Sequence, residues 1–144
     1  MKDTSYKTAI TRKKFSKPTK WLICNRALLA ETPHHCLDYG CGKGLDADFL
    51  EMDAYDPYYR PHGLLLERKY NVIVCNYVIN VILCPKEQLA ALRHIRSLLN
   101  PEGVAYISVR RDIKEDTKTQ RVVHLDLLSI HHEKGAFETY LMYA

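Results

Sequence analysis

The chain has 144 residues, of which 47% are hydrophobic and 26% are charged, and its formal net charge is +4. No run approaches the ~18 apolar residues of a membrane span, and the basic N-terminus lacks the apolar segment of a signal peptide. We therefore expect a soluble, cytoplasmic protein with one domain and no membrane partner.

The cysteines indicate neither a zinc site nor a disulfide framework. They are odd in number, scattered, and mostly inside apolar runs: Cys24, Cys36, Cys41, Cys75 and Cys84. No Cys-x-x-Cys pair occurs among them, so the pattern favours free thiols in a reducing compartment. We predict no metal site.

Positive charge is concentrated at the N-terminus. Seven basic residues in the first twenty are opposed only by Asp3: Lys2, Lys7, Arg12, Lys13, Lys14, Lys17 and Lys20. Such an arm can bind the phosphates of a nucleic acid, or it can be a solvated surface. Interleaved aromatic residues, which would favour nucleic-acid binding, are sparse there.

A helix is predicted to follow the arm. Ser16 is expected to cap it, Pro18 lies in its first turn, and it should end near Ala30, before Thr32-Pro33. Its apolar side is predicted to face the core and consists of Trp21, Leu22, Leu28 and Leu29.

A glycine-rich turn lies between a predicted strand, His35–Tyr39, and a short predicted helix that starts near Leu45. Gly40, Gly42 and Gly44 occupy alternate positions of this turn. Glycine is required where the backbone adopts positive φ or comes within contact distance of a ligand. The helix that follows directs unpaired N–H groups toward the same place. The stretch is therefore predicted to hold a cofactor.

The glycine spacing distinguishes two kinds of cofactor site. A dinucleotide fingerprint needs its third glycine where this chain has Leu45. The pattern Asp38-x-Gly40-x-Gly42-x-Gly44 instead resembles motif I of the class I S-adenosylmethionine-dependent methyltransferases. The resemblance implies that S-adenosylmethionine (SAM) is the cofactor and that Asp38 lies near its methionine end.

A second acidic residue is predicted at the end of the next strand, near Ala54-Tyr55-Asp56. Its distance from the glycine turn is that of a ribose-binding carboxylate. The resemblance implies that Asp56 is motif II and binds the ribose hydroxyls. The alternative is a turn aspartate before Pro57.

The chain departs from the family after motif II. Full-size members have a third strand and a helix there, whereas this chain has only residues 62–70 for both. We expect a turn or one short element. The adenine side of the site would then be open, or it would be closed by the N-terminal arm or by a second subunit.

The strongest strand pattern is Asn71–Val78, which is almost continuously apolar, as expected of a buried parallel strand. Asn76 and Tyr77 end it and Asn80 follows. Ligands of open α/β sheets lie at the carboxyl ends of strands, so Asn76 and Tyr77 are the predicted catalytic residues that orient the acceptor. The Asn/Asp-Pro-Pro-Tyr signature of amino-methylating DNA enzymes is absent.

The remaining elements are similar to the end of a methyltransferase domain. A helix over 85–99, a turn over 100–103 and a strand over 104–109 are predicted, followed by a terminal hairpin of residues 122–130 and 136–143. Arg110 and Arg111 leave the strand on the ligand side and are candidates to hold an anionic acceptor group. His131 and His132 are adjacent, so a shared metal ion is not expected.

The sequence is thus identified as a compact class I methyltransferase with an α/β fold. We expect a mostly parallel Rossmann-like sheet that ends in an antiparallel hairpin, with residues 1–33 as arm and helix and 34–144 as the cofactor-binding core. The arm Thr8–Pro18 is similar to the start of small bacterial and phage methyltransferase-domain proteins. The predicted function is methyl transfer, with nucleic acid favoured slightly over a small molecule as acceptor, and a homodimer is possible. The alternative is a non-catalytic SAM-binding protein that partners a larger enzyme.

Overall fold

The computed structural model describes residues 5–9, 13–28 and 35–144. Its centre is one six-stranded sheet with the strand order β2-β1-β3-β4-β6-β5. The strands are β1 (Cys36–Tyr39), β2 (Asp53–Tyr55), β3 (Tyr70–Asn76), β4 (Leu99–Arg110), β5 (Leu128–Glu133) and β6 (Phe137–Tyr143). The helices are α1 (Lys17–Cys24), α2 (Leu45–Leu50) and α3 (Pro85–Ser97).

The sheet is parallel from β2 through β4 and antiparallel from there to its other edge. β1 pairs in parallel with both β2 and β3, and β3 pairs in parallel with β4. β6 is antiparallel to β4 and to β5. The predicted fold class is confirmed.

Both faces of the sheet are covered, because successive side chains of a strand point to opposite faces. On one face, Val72 and Val74 pack with Leu22 of α1. On the other face, Ile73 and Cys75 pack with Ile95 of α3. This explains why β3 is apolar at almost every position.

Three predicted boundaries were wrong. Helix α1 ends at Cys24, because the chain turns over residues 25–28, where Arg26 adopts φ 61°; Ala30 lies outside the described residues. β4 begins at Leu99 and includes the predicted turn, because Leu99 pairs with Tyr70 before the register shifts. β5 begins at Leu128, and residues 122–127 are irregular.

The segment after motif II is reduced, as predicted. A single 3-10 helix, Gly63–Glu67, replaces the third-strand unit, and β2 therefore forms an edge of the sheet. Leu64 in this segment is 75% exposed. Within the ranges that the structure describes, no helix combines the length and apolarity needed to cross a membrane.

Candidate cofactor and acceptor site

A cleft of about 990 Å³ lies at the carboxyl ends of β1, β2, β3 and β4. Six of the seven predicted site residues line it: Asp38, Gly40, Gly42, Asp56, Asn76 and Tyr77. The seventh, Gly44, is buried behind the glycine-rich turn and does not line the cleft. Parallel strands end at the same edge of the sheet, so three separate segments of the sequence converge at this cleft.

The glycine-rich turn adopts a left-handed backbone at each of its three glycines. Gly40 has φ 72°, and a Cβ atom there would lie 2.5 Å from Cγ2 of Val78. Gly44 has φ 83°, and a Cβ atom there would lie 2.4 Å from the Arg60 guanidinium carbon. Both positions thus disfavour a side chain by conformation, and a Cβ atom would also require a shift of Val78 at Gly40 or of the Arg60 guanidinium at Gly44.

Arg60 closes the outer side of the turn. Its guanidinium donates two hydrogen bonds to the Asp48 carboxylate, at 2.7 and 2.6 Å, and a third to the backbone oxygen of Lys43 at 3.0 Å. The sequence did not point to this residue. Its planar fork suits a bidentate carboxylate contact, so Arg60 fixes the start of α2 against the turn.

Asp56 supports the turn from the other side. Its Oδ2 accepts a hydrogen bond from the backbone N–H of Gly42 at 2.9 Å. Its Oδ1 accepts from the backbone N–H groups of Tyr58 and Tyr59, at 2.9 and 3.0 Å. A carboxylate oxygen has two lone pairs. Asp56 can therefore accept one further hydrogen at Oδ2, and its contacts with the backbone are those of the turn aspartate that was the alternative prediction.

Asp38 is a buried carboxyl at the floor of the cleft, only 5% exposed. No donor in the described ranges forms a hydrogen bond with its side chain. Burial above all, and then the nearby charges of Asp46 and Asp56, raise its pKa from the usual 3.8 to about 8, against a smaller opposing effect of Arg60. Arg60 thus compensates the ionised form of Asp38 only in part, and a positively charged ligand would favour that form.

Asp46, in the first turn of α2, connects the N-terminal helix to the site. Its Oδ2 accepts hydrogen bonds from the hydroxyls of Ser16 and Thr19, at 2.6 and 2.8 Å, and its Oδ1 accepts from the Ser16 backbone N–H at 3.0 Å. Ser16 precedes α1 as predicted, but its hydroxyl makes no cap hydrogen bond there. The sequence analysis missed the contact with Asp46. The available signal for it was the pair of hydroxyl residues, Ser16 and Thr19, at the start of α1.

Asn76 and Tyr77 end β3 at the cleft. The Asn76 side-chain nitrogen donates to Oγ1 of Thr19 at 2.8 Å, and its Oδ1 is buried without a donor in the described part of the chain. Tyr77 has φ 60°, a strained conformation for a residue with a ring, and its N–H donates to the backbone oxygen of Ser108 at 2.8 Å. Strain of this kind concentrates at functional sites.

The two arginines that leave β4 have different surroundings. Arg110 lines the cleft and forms two hydrogen bonds of 2.7 Å with Asp112. Arg111 is buried in an ion pair with Glu138 at 2.9 Å and donates to the Tyr140 hydroxyl. Of the pair, only Arg110 is at a position to contact an acceptor.

An aromatic group forms the side of the cleft next to α3. The Tyr39 hydroxyl lies 2.7 Å from Nδ1 of His94, and the Tyr39 and Tyr55 rings are 6.1 Å apart. His94 lines the cleft beside Tyr39. Between β2 and α3 the reduced third-strand unit supplies only the 3-10 helix Gly63–Glu67, and Tyr39, Tyr55 and His94 line the cleft.

The N-terminal arm reaches the cleft. Thr8 and Ala9 line it, and the Ala9 Cβ atom lies 3.4 Å from where a Cβ on Gly42 would be. Phe15 packs edge-on against Phe49 of α2 at 5.5 Å. This position supports the expectation that the arm helps to close the site. The described ranges contain no cluster of His, Cys, Asp or Glu side chains able to hold a metal ion.

Comparison with solved structures shows a shared fold. Magnesium protoporphyrin IX methyltransferase (ChlM) from Synechocystis PCC 6803, solved with bound SAM, aligns over 95% of this chain and 88% of its own, with 11% identity and a TM-score of 0.56. A SAM-dependent methyltransferase from Clostridium acetobutylicum ATCC 824 aligns over 92% and 76%, with 13% identity and a TM-score of 0.51.

Other structures align over less of their length. The chain spans 46% of the plantazolicin methyltransferase BpumL, solved with SAH, with 66% of this chain covered, 15% identity and a TM-score of 0.43. No curated protein matches the sequence. A family model described as a methyltransferase domain matches residues 13–138. The chain therefore belongs to the methyltransferase domain family and has the fold of the class I SAM-dependent enzymes, as the glycine motif predicted.

Proposed function

We propose that this protein is a SAM-dependent methyltransferase. The observation that carries the proposal is Asp38, a carboxyl held at the floor of the cleft with a pKa of about 8 because it is buried and lies near Asp46 and Asp56. SAM brings a sulfonium and an ammonium group, and either charge would stabilise the ionised form of Asp38.

The rest of the cleft fits the same cofactor. Gly40 and Gly42 bring bare backbone to its wall, and Oδ2 of Asp56 retains one lone pair for a hydroxyl hydrogen. The Tyr39 and Tyr55 rings offer an apolar surface of the kind that an adenine ring requires. Leu45, in place of a third fingerprint glycine, disfavours a dinucleotide.

Each residue has a defined task in this proposal. When bound, SAM supplies an activated methyl group, so the protein has mainly to align the acceptor with it. Asp38 binds a positively charged group of the cofactor, and Asp56 binds one ribose hydroxyl. Asn76 and Tyr77 orient the acceptor. The arm residues Thr8 and Ala9 exclude water from the cofactor side.

The acceptor that we favour is a nucleic acid. Five lysines of the arm and of α1 are exposed in the described ranges, and they are Lys7, Lys13, Lys14, Lys17 and Lys20. Lys17 lines the cleft, so a polyanion bound by this surface would pass the site. A small molecule is the second possibility. Affinity for single-stranded DNA that falls steeply with salt supports the first, and salt-independent or absent binding contradicts it.

The proposal is tested by calorimetric titration with SAM, SAH and NAD. We expect the first two to bind at micromolar concentration and NAD not to bind. Gly42→Val should abolish binding, because a β-branched residue at φ 57° deforms the turn. Gly63→Val is the matched control, since a Cβ there has no neighbour within 4 Å. No binding of SAM or SAH would refute the proposal.

One further outcome decides between our proposal and its alternative. Binding of SAM without transfer of labelled methyl to DNA or small amines would favour the non-catalytic partner of a larger enzyme. The reduced segment Gly63–Glu67 is the feature that favours this alternative. A homodimer stays a prediction, which sedimentation equilibrium tests.

A further inference from the structure

A relay of two hydrogen bonds fixes the orientation of the Asn76 side chain. The Thr19 hydroxyl carries one hydrogen and donates it to Oδ2 of Asp46 at 2.8 Å. The Asp46 side chain is the acceptor in each of its hydrogen bonds. The Thr19 oxygen can therefore only accept from Asn76, and the atom 2.8 Å away must be the amide nitrogen. The amide oxygen is directed elsewhere by the chemistry of its neighbours.

The relay is well anchored. Thr19 is 1% exposed, and Ser16 supplies two further hydrogen bonds to Asp46, at 3.0 and 2.6 Å. The amide of Asn76 cannot rotate by half a turn without placing its oxygen against the Thr19 oxygen. A fixed amide presents one kind of hydrogen-bonding group to a ligand.

That group is an acceptor without a donor. Oδ1 of Asn76 is buried and has no hydrogen-bond partner in the described part of the chain, although Asn76 lines the cleft. Asn80 also lines the cleft, and its Oδ1 is likewise buried without a hydrogen-bond partner in the described ranges. Its side-chain nitrogen donates to Oε1 of Gln120 at 2.8 Å. Buried polar atoms in folded proteins nearly always have partners. A bound molecule that donates hydrogens would supply them.

We propose that the methyl acceptor of this enzyme is an amino nitrogen, selected by the fixed oxygen of Asn76, with Thr19 and Asp46 as positioning residues. This inference rests on the proposed function. The cofactor's ammonium is not the expected donor, because the buried carboxyl of Asp38 compensates a cation better than a neutral amide does. An acceptor hydroxyl fits less well, because it must give up its proton as it reacts and an amide oxygen cannot take it.

An amine needs no base during the transfer. Its nitrogen lone pair forms the bond to the methyl carbon as the carbon–sulfur bond breaks, and the sulfur leaves as a neutral thioether. The nitrogen then carries one positive charge and releases one proton to water at the open mouth of the cleft. An N–H held by Oδ1 of Asn76 keeps the lone pair directed away from the amide.

The experiment uses ligand pairs in which an oxygen substituent replaces the amino group, titrated into the protein saturated with SAH. The pairs are adenosine and inosine, cytidine and uridine, and benzylamine and benzyl alcohol. In each pair, only the amino compound has a nitrogen donor at the position where the two compounds differ. We expect the amino member of at least one pair to bind about tenfold more tightly than its partner, since an unsatisfied buried acceptor costs that much. The nucleoside and benzyl pairs distinguish a nucleobase from a small amine.

Two variants test the relay itself. Thr19→Val keeps the shape but removes the hydroxyl, so the amide can turn and the amino preference should fall toward unity. Thr19→Ser retains the hydroxyl and should retain the preference. A merely structural role of Thr19 would not change the ratio of two affinities. Asn76→Leu should also remove the preference, and it serves if Thr19→Val does not fold.

Three results would overturn the inference. They are equal binding within all pairs, tighter binding of the oxygen member, and a preference that survives Thr19→Val in a folded protein. Absence of binding by every amino ligand, in protein that does bind SAH, would also contradict it. Absence of SAH binding is a different result, because it refutes the proposed function and with it the inference.

Discussion

The Asp56 carboxylate binds the backbone N–H of Gly42 at 2.9 Å, and so links the end of β2 to the middle of the glycine-rich turn. Arg60, four residues further on, binds the backbone oxygen of Lys43 at 3.0 Å. The short loop from Asp56 to Arg60 therefore holds both a donor and an acceptor of the turn. This loop, which precedes the reduced third-strand unit, therefore shapes the glycine-rich turn.

Replacing Asp56 should impair the turn and the ribose contact together. Asp56→Ala leaves three backbone N–H groups without their acceptor, and we expect it to lower the free energy of unfolding by about 1–3 kcal/mol. We also expect SAH affinity to fall at least about tenfold. Urea unfolding and calorimetry measure these changes.

A ligand lacking the ribose hydroxyls separates the two effects. If Asp56 holds a hydroxyl, the loss in affinity caused by Asp56→Ala should be smaller for 2′,3′-dideoxy-SAH than for SAH. The same loss for both ligands would show that Asp56 acts only through the turn.

The pKa of Asp38 makes stability depend on pH. Its folded value of about 8 exceeds its unfolded value of 3.8, so the folded state binds the proton more tightly. The stabilisation is complete below pH 4 and is lost as the pH rises to about 8, by about 1 kcal/mol per pH unit. Asp38→Asn should remove this loss and be the more stable protein at pH 8. Equal pH slopes for the two proteins in urea unfolding would contradict the assignment.

The same carboxyl predicts proton release on SAM binding. At pH 7 the free protein holds Asp38 mostly protonated, whereas a bound cation favours the carboxylate. The calorimetric enthalpy of SAM binding should therefore differ between phosphate and Tris buffers by close to the difference between the ionisation enthalpies of the two buffers. Asp38→Asn is expected to show no such difference, and a wild-type enthalpy independent of buffer would be evidence against a cation at Asp38.

Gly44 and Arg60 should be energetically coupled. Gly44→Ala places a methyl group at φ 83° and within 2.6 Å of three guanidinium atoms, so we expect a loss of about 1–3 kcal/mol in stability. Arg60→Ala removes the contact but not the backbone strain. The cost of Gly44→Ala should be smaller in the Arg60→Ala background, and Gly63→Ala is the control. Strict additivity of the two changes would show that the guanidinium moves away freely.

Arg110 and Arg111 are expected to respond differently to truncation. Arg111→Ala leaves Glu138 without its partner in a buried ion pair, and should cost about 3 kcal/mol or more. Arg110→Ala breaks a partly exposed pair with Asp112 and should cost about 0–1 kcal/mol. Only Arg110→Ala should change acceptor affinity at constant SAH affinity. If Arg111→Ala changed acceptor affinity and Arg110→Ala did not, the acceptor would bind elsewhere.

The order of elements was predictable because it depends on local patterns. The continuous apolar run of β3 and the glycine-rich turn have few alternative structures, and both were located within two residues. Boundaries failed where tertiary contacts decide. Leu99 joins β4 because Tyr70 pairs with it, and nothing in residues 99–103 themselves indicates that pairing.

Among the site residues, only those at or just after the end of a strand could be predicted from the sequence. Their position at the carboxyl edge follows from topology. Arg60, Asp46 and Thr19 could not be found in this way, because their roles depend on contacts across 12 to 57 positions of the chain. The second role of Asp56, in which it holds Gly42, was also hidden, since its spacing suits a ribose ligand equally.

The most direct test of the central claim is a crystal structure of the protein with SAH. We predict electron density for SAH in the cleft, with its ribose beside Asp56 and its homocysteine end beside Asp38, and with the arm residues Thr8 and Ala9 over it. SAH density at another surface, or an empty cleft in crystals grown at saturating SAH, would contradict the assignment of this cleft to the cofactor.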